Sequence, residues 1–341
     1  MIDVSRLTDL ASRALGGSVL FANDDSFADV HALIAPGPAV HDPAAFAPRG
    51  KVYDGWETRR RREPGDDVAL IRLGVPGVVR AVDVDTSFFV GNHPPAASVA
   101  IATVLGYPDA DELLGARWAT VIDHGPLTGG GSNLVEVGSA QLATHVRLSI
   151  HPDGGVARLR VFGDVVPDPR RLGGRVDLAA LELGGAVDGC SNMFYASPAN
   201  ALAPGRAQVM SDGWETARRR DDGNDWLTVR LAAPGALEHI VIDTTRFVHN
   251  APGWARVTDA ETGAELLPRT RLVPDTEHRF RAVPAAAATR VRLDIYPDGG
   301  ISRLRLLGTV DPAQRAAVTA RWTRTLPADV AAAVDPTEFF G

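Results

Sequence analysis

The chain has 341 residues, which is enough for two domains of ordinary size that each bury their own core. Its formal net charge of −7 argues against nucleic-acid or anionic-membrane binding, because both need a dominant basic surface. The single cysteine, Cys190, excludes an internal disulfide, and no apolar run approaches the ~20 residues of a membrane span. A cytoplasmic protein is therefore expected.

The first predicted element is a helix over residues 3–15. Its apolar residues recur with helical spacing, and Gly16 and Gly17 supply a stop at its end. The same pattern returns at 177–183, again before two glycines. Each half of the chain is therefore expected to begin with a short helix.

A polar nonapeptide at 54–62 recurs 158 residues later, at 212–220, with eight of nine positions identical. A window that holds Trp, Glu and arginines in fixed order rarely recurs by chance, so it indicates an internal duplication. If the segment is extended, Trp56 faces one side while Glu57 faces the other, together with two of the arginines. Glu57 is then expected beside arginines, either as a base or to orient them.

Strand patterns follow each nonapeptide. Residues 68–73 and 79–85 alternate around Pro76-Gly77, which predicts a hairpin or two neighbouring strands. Residues 145–150 and 156–161 flank a Pro-Asp-Gly-Gly turn and predict a second hairpin. Both patterns recur in the second half, so we predict an all-β fold with an antiparallel sandwich or barrel in each half.

The chain is accordingly divided into two repeats. The first module is predicted to cover 1–165, with one or two helical turns within 110–118. A linker at 166–176 precedes the second module at 177–310, and a helical C-terminal tail follows at 311–341. This tail is expected to pack on a module or on a partner subunit.

Candidate site residues follow the apolar strand in each copy, at Asn92-His93 and His249-Asn250. Loops at strand ends commonly carry ligand contacts, and His is the usual acid–base group near neutral pH. The alternative for these residues is strand-end capping. For Glu57 the alternative is an ion pair with an arginine that stiffens a loop.

Other polar residues are assigned structural roles. Asp153 and Asp298 fit ordinary turn positions, and Cys190 is expected to be buried and inert. Asp83 and Asp85 lack an equivalent pair in the second copy and lack histidines at ligand spacing. The sequence therefore predicts no metal site, and it assigns no cofactor.

These blocks together resemble the allantoicase family, whose members hydrolyse allantoate to ureidoglycolate and urea. The resemblance is carried by the doubled Asp-Gly-Trp-Glu-Thr with its arginines, the Asn-His-Pro and His-Asn-Ala-Pro segments, and the doubled Pro-Asp-Gly-Gly. It covers residues 16–310. It implies two tandem jelly-roll modules of the galactose-binding-like type, a hydrolase of a linear ureido compound, and a homo-oligomer.

The family's substrate needs donors for its carboxylate, polar partners for its ureido groups, an acid and a base. The residues assigned to catalysis are Glu57, Glu215, His93 and His249. The residues assigned to substrate binding are Asp54, Arg60, Asn92, Asp212, Arg218 and Asn250. The duplication allows two separate sites, which we favour, or one shared site. The alternative function is a non-catalytic tandem binding module.

Overall fold

The structure, a computed structural model, describes residues 2–47 and 50–341. It divides into two compact units. The first unit holds the described residues up to Val165 together with Thr325–Val334, and the second holds Val166–Arg324 together with Asp335–Gly341.

Both units are built from antiparallel strands. The first contains β1 Thr8–Asp9, β2 Ser18–Ala22, β3 Phe46–Ala47, β4 Gly50–Lys51, β5 Trp56–Glu57, β6 Asp67–Asp85, β7 Ala96–Ala102, β8 Ala119–Pro126, β9 Leu134–Glu136, β10 Leu142–His151, β11 Gly155–Val156 and β12 Arg158–Val165. The second contains β13 Val176–Asp177, β14 Ala186–Cys190, β15 Trp214–Glu215, β16 Asp225–Asp243, β17 Trp254–Asp259, β18 Glu265–Arg271, β19 Glu277–Arg281, β20 Ala288–Tyr296, β21 Gly300–Ile301 and β22 Arg303–Val310.

Helices are short. The α-helices are α1 Ala110–Leu114, α2 Arg315–Thr323 and α3 Ala328–Ala333. The 3₁₀ turns are Val4–Arg6, Arg13–Leu15, Val30–Ile34, Pro169–Arg171, Leu181–Leu183, Pro198–Leu202, Met210–Asp212, Pro312–Gln314 and Pro336–Glu338. The predicted helical turns within 110–118 and the helical tail are confirmed, the tail as α2 and α3.

The two units share one topology. The main sheet of the first runs β1-β12-β6-β10-β7-β8, with β2 and β9 also on β6, and the second runs β13-β22-β16-β20-β17-β18, with β14 and β19 on β16. In each unit one long strand bonds different partners along its two halves. The apolar residues of both halves of β6 meet in one core cluster, so the sheet folds into two facing layers.

The predicted hairpin at Pro76-Gly77 is wrong, because β6 is continuous from Asp67 to Asp85. The four residues before Gly77 form a bulge, since Ala143 of β10 pairs with Gly77 while His145 pairs with Arg72. A proline has no N–H to donate and is tolerated at such a bulge. The Pro-Gly pair thus bends the strand from one layer into the other.

The second predicted hairpin is also wrong. Strands β10 and β12 both exist, but each pairs with β6 and they do not pair with each other. The Pro-Asp-Gly-Gly segment between them crosses from one layer to the other. Its last glycine begins β11, which pairs with the nonapeptide strand β5.

The helix predicted over 3–15 is wrong as well. The side chain of Asp9 accepts a hydrogen bond from the Ala11 N–H at 3.3 Å, and that of Ser12 accepts one from the Ala14 N–H at 3.3 Å. Such local side-chain bonds compete with a helix. The chain instead forms β1 against β12, which buries Leu10 completely. In the second unit β13 and Leu181–Leu183 replace the helix expected at 177–183 in the same way.

The predicted fold class is confirmed: the chain is all-β, with two tandem antiparallel sandwich modules and a short helical tail. Trp56 and Trp214, the tryptophans of the two nonapeptides, are fully buried.

Candidate functional site

The two repeated motifs meet at the end of each sandwich. In the first module Glu57 pairs with Gly155 across the short ladder of β5 and β11. In the second module Glu215 pairs with Gly300 in the same way. The sequence placed these motifs about a hundred residues apart and gave no indication that they pair.

Each glutamate is held by an asparagine from the loop after the long strand. The Nδ2 of Asn92 donates to Oε1 of Glu57 at 2.6 Å, and the Nδ2 of Asn250 donates to Oε1 of Glu215 at 2.5 Å. The carbonyl of Asn92 also accepts the Gly155 N–H at 2.8 Å. Three segments distant in sequence therefore fix one carboxylate–amide pair in each module.

The glycines at these positions are required by packing. A Cβ on Gly155 would lie 2.0 Å from the buried ring of Phe89, and a Cβ on Gly300 would lie 2.0 Å from the ring of Phe247. The turn can therefore approach the asparagine loop only without a side chain. This explains why both copies keep a glycine as the last residue of the turn.

The environment of Glu57 makes it a stronger base than an exposed carboxylate. Its side chain is half-buried, and this burial raises its pKa, while the hydrogen bond from Asn92 acts in the opposite direction and offsets part of the effect. A carboxylate whose pKa is raised toward neutrality is better matched to proton transfer.

A second loop borders each pair. The indole N–H of Trp56 donates to the Asp24 carbonyl at 2.7 Å, and the Phe27 N–H donates to the Glu57 carbonyl at 3.1 Å. The second module repeats both bonds, from Trp214 to the Asn192 carbonyl and from Tyr195 to the Glu215 carbonyl. The two loops are therefore structurally equivalent. The rings of Phe27 and Tyr195 are exposed beside the glutamates.

The expectation that Glu57 lies against arginines is wrong. The guanidinium of Arg59 pairs with Asp24 at 2.7 Å, and that of Arg61 pairs with Asp67 at 2.6 Å. Glu57 bonds Asn92 instead, and no ion pair recorded among the described residues includes it. Arg60, between the two paired arginines, is exposed, and so is Arg218 at the same place in the second module.

Two differences between the copies remove a pair of opposite charges from the second module. Asp24 and Arg59 of the first module become Asn192 and Ala217, so acid and base are lost together. Asn192 keeps the backbone bond that Asp24 makes to the Arg59 N–H, because its Oδ1 accepts the Ala217 N–H at 2.9 Å. The Asp24–Arg59 pair therefore supports the loop in one copy.

Asp54 and Asp212, the first residues of the two nonapeptides, bind groups of the protein itself. Asp54 pairs with the buried Arg158 at 2.6 Å. Burial raises the pKa of Asp54, but the hydrogen bonds from Arg158 and the Val40 N–H, together with the charge of Arg158, leave that pKa below its ordinary value. Asp212 accepts the Gln208 and Val209 N–H groups at 2.8 and 3.1 Å. Both carboxylates order the loops that precede the glutamates.

The two loop histidines differ. His93 is partly buried, and its Nδ1 lies 2.9 Å from the Val90 carbonyl, which accepts only, so Nδ1 carries the proton and Nε2 is the atom left to exchange one. His249 is exposed and stands one residue before Asn250, where the first copy has Gly91. In both loops a residue other than glycine takes a positive φ, 71° at Phe88 and 75° at Arg246.

Three comparisons bear on this repeated centre. The allantoicase repeat family matches residues 8–166 and 176–311. A probable allantoicase of Nocardia farcinica is 53% identical over 311 residues, which cover 89% of this chain and 94% of that protein. The chain belongs to the allantoicase family. A probable allantoicase of Streptomyces coelicolor is 48% identical over 335 residues, covering 93% of this chain and 89% of that one.

A solved allantoicase shares the architecture. The crystal structure of allantoicase from Saccharomyces cerevisiae matches with a TM-score of 0.76 and 33% identity, covering 88% of this chain and 92% of that one. The predicted resemblance to allantoicases, with two tandem antiparallel β-sandwich repeats, is therefore confirmed. Like its family, the chain is a hydrolase acting on C–N bonds of linear amidines.

No group of three or more His, Cys, Asp or Glu with metal-binding geometry occurs among residues 2–47 and 50–341. Asp83 accepts hydrogen bonds from the Ser132 hydroxyl at 2.8 Å and the Asn133 N–H at 2.7 Å, and burial raises its pKa. In that same part of the chain, no helix is long and apolar enough to cross a membrane.

Two kinds of residue that build this repeated Glu–Asn centre were missed from the sequence. Asp153 and Asp298 were assigned to their own turns, but they accept the Arg61 and Arg219 N–H groups at 2.8 and 2.7 Å and so hold the nonapeptides. Gly155 and Gly300 were also seen only as turn residues. The parallel recurrence of both motifs was the one available signal that they act together.

Proposed function

We propose that the chain hydrolyses allantoate to ureidoglycolate and urea at two separate centres, one in each repeat. The activity follows from membership in the allantoicase family, and its substrate is a small molecule. The observation that carries the placement is the Glu–Asn pair, which recurs at 2.6 and 2.5 Å where the two duplicated motifs meet. Each repeat, at 1–165 and 177–310, thus holds one complete centre.

Arg60 and Arg218 are proposed to bind the substrate carboxylate. Their neighbours Arg59, Arg61 and Arg219 are occupied by aspartates, whereas Arg60 and Arg218 are exposed next to the glutamate-bearing strands. A guanidinium can donate two parallel hydrogen bonds to a carboxylate. The carboxylate would be fixed while the ureido groups reach the Glu–Asn pair.

The asparagines are proposed to recognise the ureido groups as well as to hold the glutamates. An asparagine amide offers two N–H donors and one carbonyl acceptor, and one donor is used by Glu57 or Glu215. The remaining groups match a urea unit, which has both N–H donors and a carbonyl. Asp54 and Asp212 are proposed to act on binding indirectly, by ordering the loops before the glutamates.

In the proposed reaction Glu57 is the general base and His93 the general acid. The bond between the α-carbon and one ureido nitrogen breaks, its electron pair stays on nitrogen, and Nε2 of protonated His93 supplies a proton so that urea leaves. The lone pair of the second ureido nitrogen stabilises the electron-poor carbon. Water adds to that carbon and gives its proton to the Glu57 carboxylate, which yields ureidoglycolate.

Glu215 and His249 are proposed to fill the same two roles in the second module. The order of the two residues is reversed, since His249 precedes Asn250 whereas His93 follows Asn92. The two centres are therefore expected to share a mechanism but to differ in rate.

We further propose a cytoplasmic homo-oligomer. A single, partly buried cysteine whose pKa is raised by burial suits a reducing compartment. Light scattering of the purified chain tests the assembly, and a monomeric mass at micromolar concentration would contradict it.

The direct test of the function is urea release from allantoate by the purified chain, with ureidoglycolate identified as the second product. Both products are expected in equal amounts. The assay is repeated after chelation with EDTA, since activity lost on chelation and restored by a divalent cation would contradict the proton-transfer scheme above. Folded protein that releases no urea under either condition would contradict the proposed activity itself.

A further inference from the structure

A second cluster of reactive groups lies on the first module and shares no side chain with the Glu57–Asn92 pair. The hydroxyl of Ser98 lies 2.7 Å from Nε2 of His151, and Nδ1 of His151 lies 3.0 Å from Oδ2 of Asp66. The three residues come from β7, the end of β10 and the residue before β6. They form a continuous chain from a hydroxyl through an imidazole to a carboxylate.

The chemistry of the three groups determines which atom donates and which accepts in each of these hydrogen bonds. A carboxylate accepts only, so Nδ1 of His151 carries the proton that faces Asp66, and Nε2 is then the acceptor for the Ser98 hydroxyl. This is the tautomer in which a histidine serves as base for a serine. Asp66 thus orients the ring and stabilises the charge that the ring acquires.

Two further contacts favour reactivity. The His124 N–H donates to Ser98 Oγ at 3.0 Å and so stabilises negative charge on that oxygen as its proton leaves. The exposed ring of His124 stacks on the ring of His151 at a centroid distance of 4.5 Å, which limits rotation of the base.

The cluster is accessible from outside the sandwich. Ser98 is partly buried, the side chain of His151 is 16% exposed, and that of Asp66 is 45% exposed. The flanking residues Ala97 and Val99 belong to the core, so the alternation of β7 directs Ser98 to the outer face. The hydroxyl therefore lies on the outer side of the sheet and not in the core.

The second module has lost all three groups at the corresponding places. The strand register and the repeat step identify the equivalent residues of the second module. They are Arg256 for Ser98, Tyr296 for His151 and Asn224 for Asp66. There Tyr296 packs under Arg269 at 4.2 Å from the ring centroid. The duplication itself therefore does not require the chain of hydrogen bonds, which belongs to one repeat alone.

We propose that Ser98, His151 and Asp66 form a nucleophilic serine site that cleaves small activated carboxylic esters, an activity separate from allantoate hydrolysis. Ser98 Oγ bonds to the acyl carbon while its proton passes to Nε2 of His151. The ester C–O bond then breaks, and the alcohol leaves with that proton. Water, deprotonated by His151, attacks the acyl-serine, and the carboxylic acid and the free hydroxyl are restored.

A fluorophosphonate probe tests the site, because serine attack on phosphorus expels fluoride, passes the proton to His151 and leaves a stable adduct. Mass spectrometry of the treated native chain is expected to find the adduct on Ser98. Ser98→Ala should abolish this adduct. His151→Tyr, which installs the residue of the second module, should slow labelling at least about 100-fold, the scale of general-base catalysis.

Ser149 provides the matched control, since it pairs with Ser98 across the ladder of β7 and β10. Ser149→Ala should be labelled at the native rate. Urea release is measured on every variant as a check of folding, and Ser98→Ala is expected to retain it. Absence of the Ser98 adduct in native chain, or equal labelling rates in native chain and His151→Tyr, would overturn the proposal, whatever the outcome with allantoate.

Discussion

Asn92 donates a hydrogen bond of 2.6 Å to the carboxylate of Glu57, although Glu57 lies on β5, which pairs with β11, and Asn92 lies in the loop after β6. Asn250 and Glu215 repeat the relationship at 2.5 Å in the second module. A bond to a charged group contributes about 1.5–3 kcal/mol. The pair therefore both positions the base and keeps its charged form accessible.

Replacing Asn92 by Leu, in a Glu215→Gln background that leaves one centre, should lower kcat/KM about 10- to 100-fold, the fold-change that corresponds to one such hydrogen bond. The matched control is Asn250→Leu in the same background, which should change little because its glutamate is already absent. Steady-state urea release measures both. Equal losses in the two variants would contradict the pairing of Asn92 with Glu57 in function.

The pH dependence of the first centre follows from the pKa of Glu57. A general base must be deprotonated, and burial raises the pKa of this carboxyl above its ordinary value. In the Glu215→Gln variant, kcat/KM should therefore fall on the acid side at a higher pH than an ordinary carboxyl titrates. Asn92→Leu removes the bond that opposes this shift, so it should move the acid limb higher still. An acid limb in the ordinary carboxyl range would contradict the assignment.

The ion pair of Asp24 and Arg59 should be dispensable as a unit. The double variant Asp24→Asn, Arg59→Ala copies the second module, where Asn192 keeps the backbone bond. Because the Arg59 side chain is 70% exposed, removing the pair should cost less than about 1 kcal/mol of unfolding free energy. Activity should stay within about fivefold of the parent, the rate equivalent of that energy. Denaturant unfolding and urea release in the Glu215→Gln background check both values, and a loss of activity with normal stability would give Arg59 a role in binding.

His145 should make stability depend on pH. It is 1% exposed, burial and the charge of Arg72 lower its pKa to about 4, and its Nε2 has no hydrogen-bond partner among the described residues. The unfolded chain therefore binds a proton between pH 6.5 and 4 that the folded chain does not, and stability falls as pH is lowered through this window by about 1.4 kcal/mol per unit.

Denaturant unfolding at a series of pH values tests this contribution. His145→Asn, which keeps a polar group near Thr144, should flatten the dependence between pH 6.5 and 4. Parallel curves for the variant and the native chain would mean that other groups cause the acid loss.

The family and the fold class were predictable because the duplication exposes them in the sequence. Alternation of apolar residues located most strands, but not how they pair. Pro76 and Gly77 resemble a hairpin turn, yet they bend one strand at a bulge, since local residue preferences do not distinguish a reversal from a change of layer. Pairing across the sandwich depends on burial of both faces, which no short window contains.

The residues of the candidate site were predicted from the sequence, but the contacts between them were not. Glu57 and Asn92 were both identified as candidates, whereas their bond joins positions 35 residues apart and has no local signature. Arg59 was assumed to serve Glu57 because the two share one face of an extended segment. Asp24, from an earlier loop, accepts that arginine instead. An ion pair between two loops of this kind can be identified only once the positions of both loops in the fold are known.

The central claim is that Glu57 and Glu215 are the bases of two separate centres. It is tested most directly by kcat for urea release from allantoate in Glu57→Gln, Glu215→Gln and the double variant, each confirmed to be folded. Each single variant should keep the activity of its intact module, and the double variant should fall at least about 100-fold, the usual contribution of a general base. Full activity in the folded double variant would contradict the account.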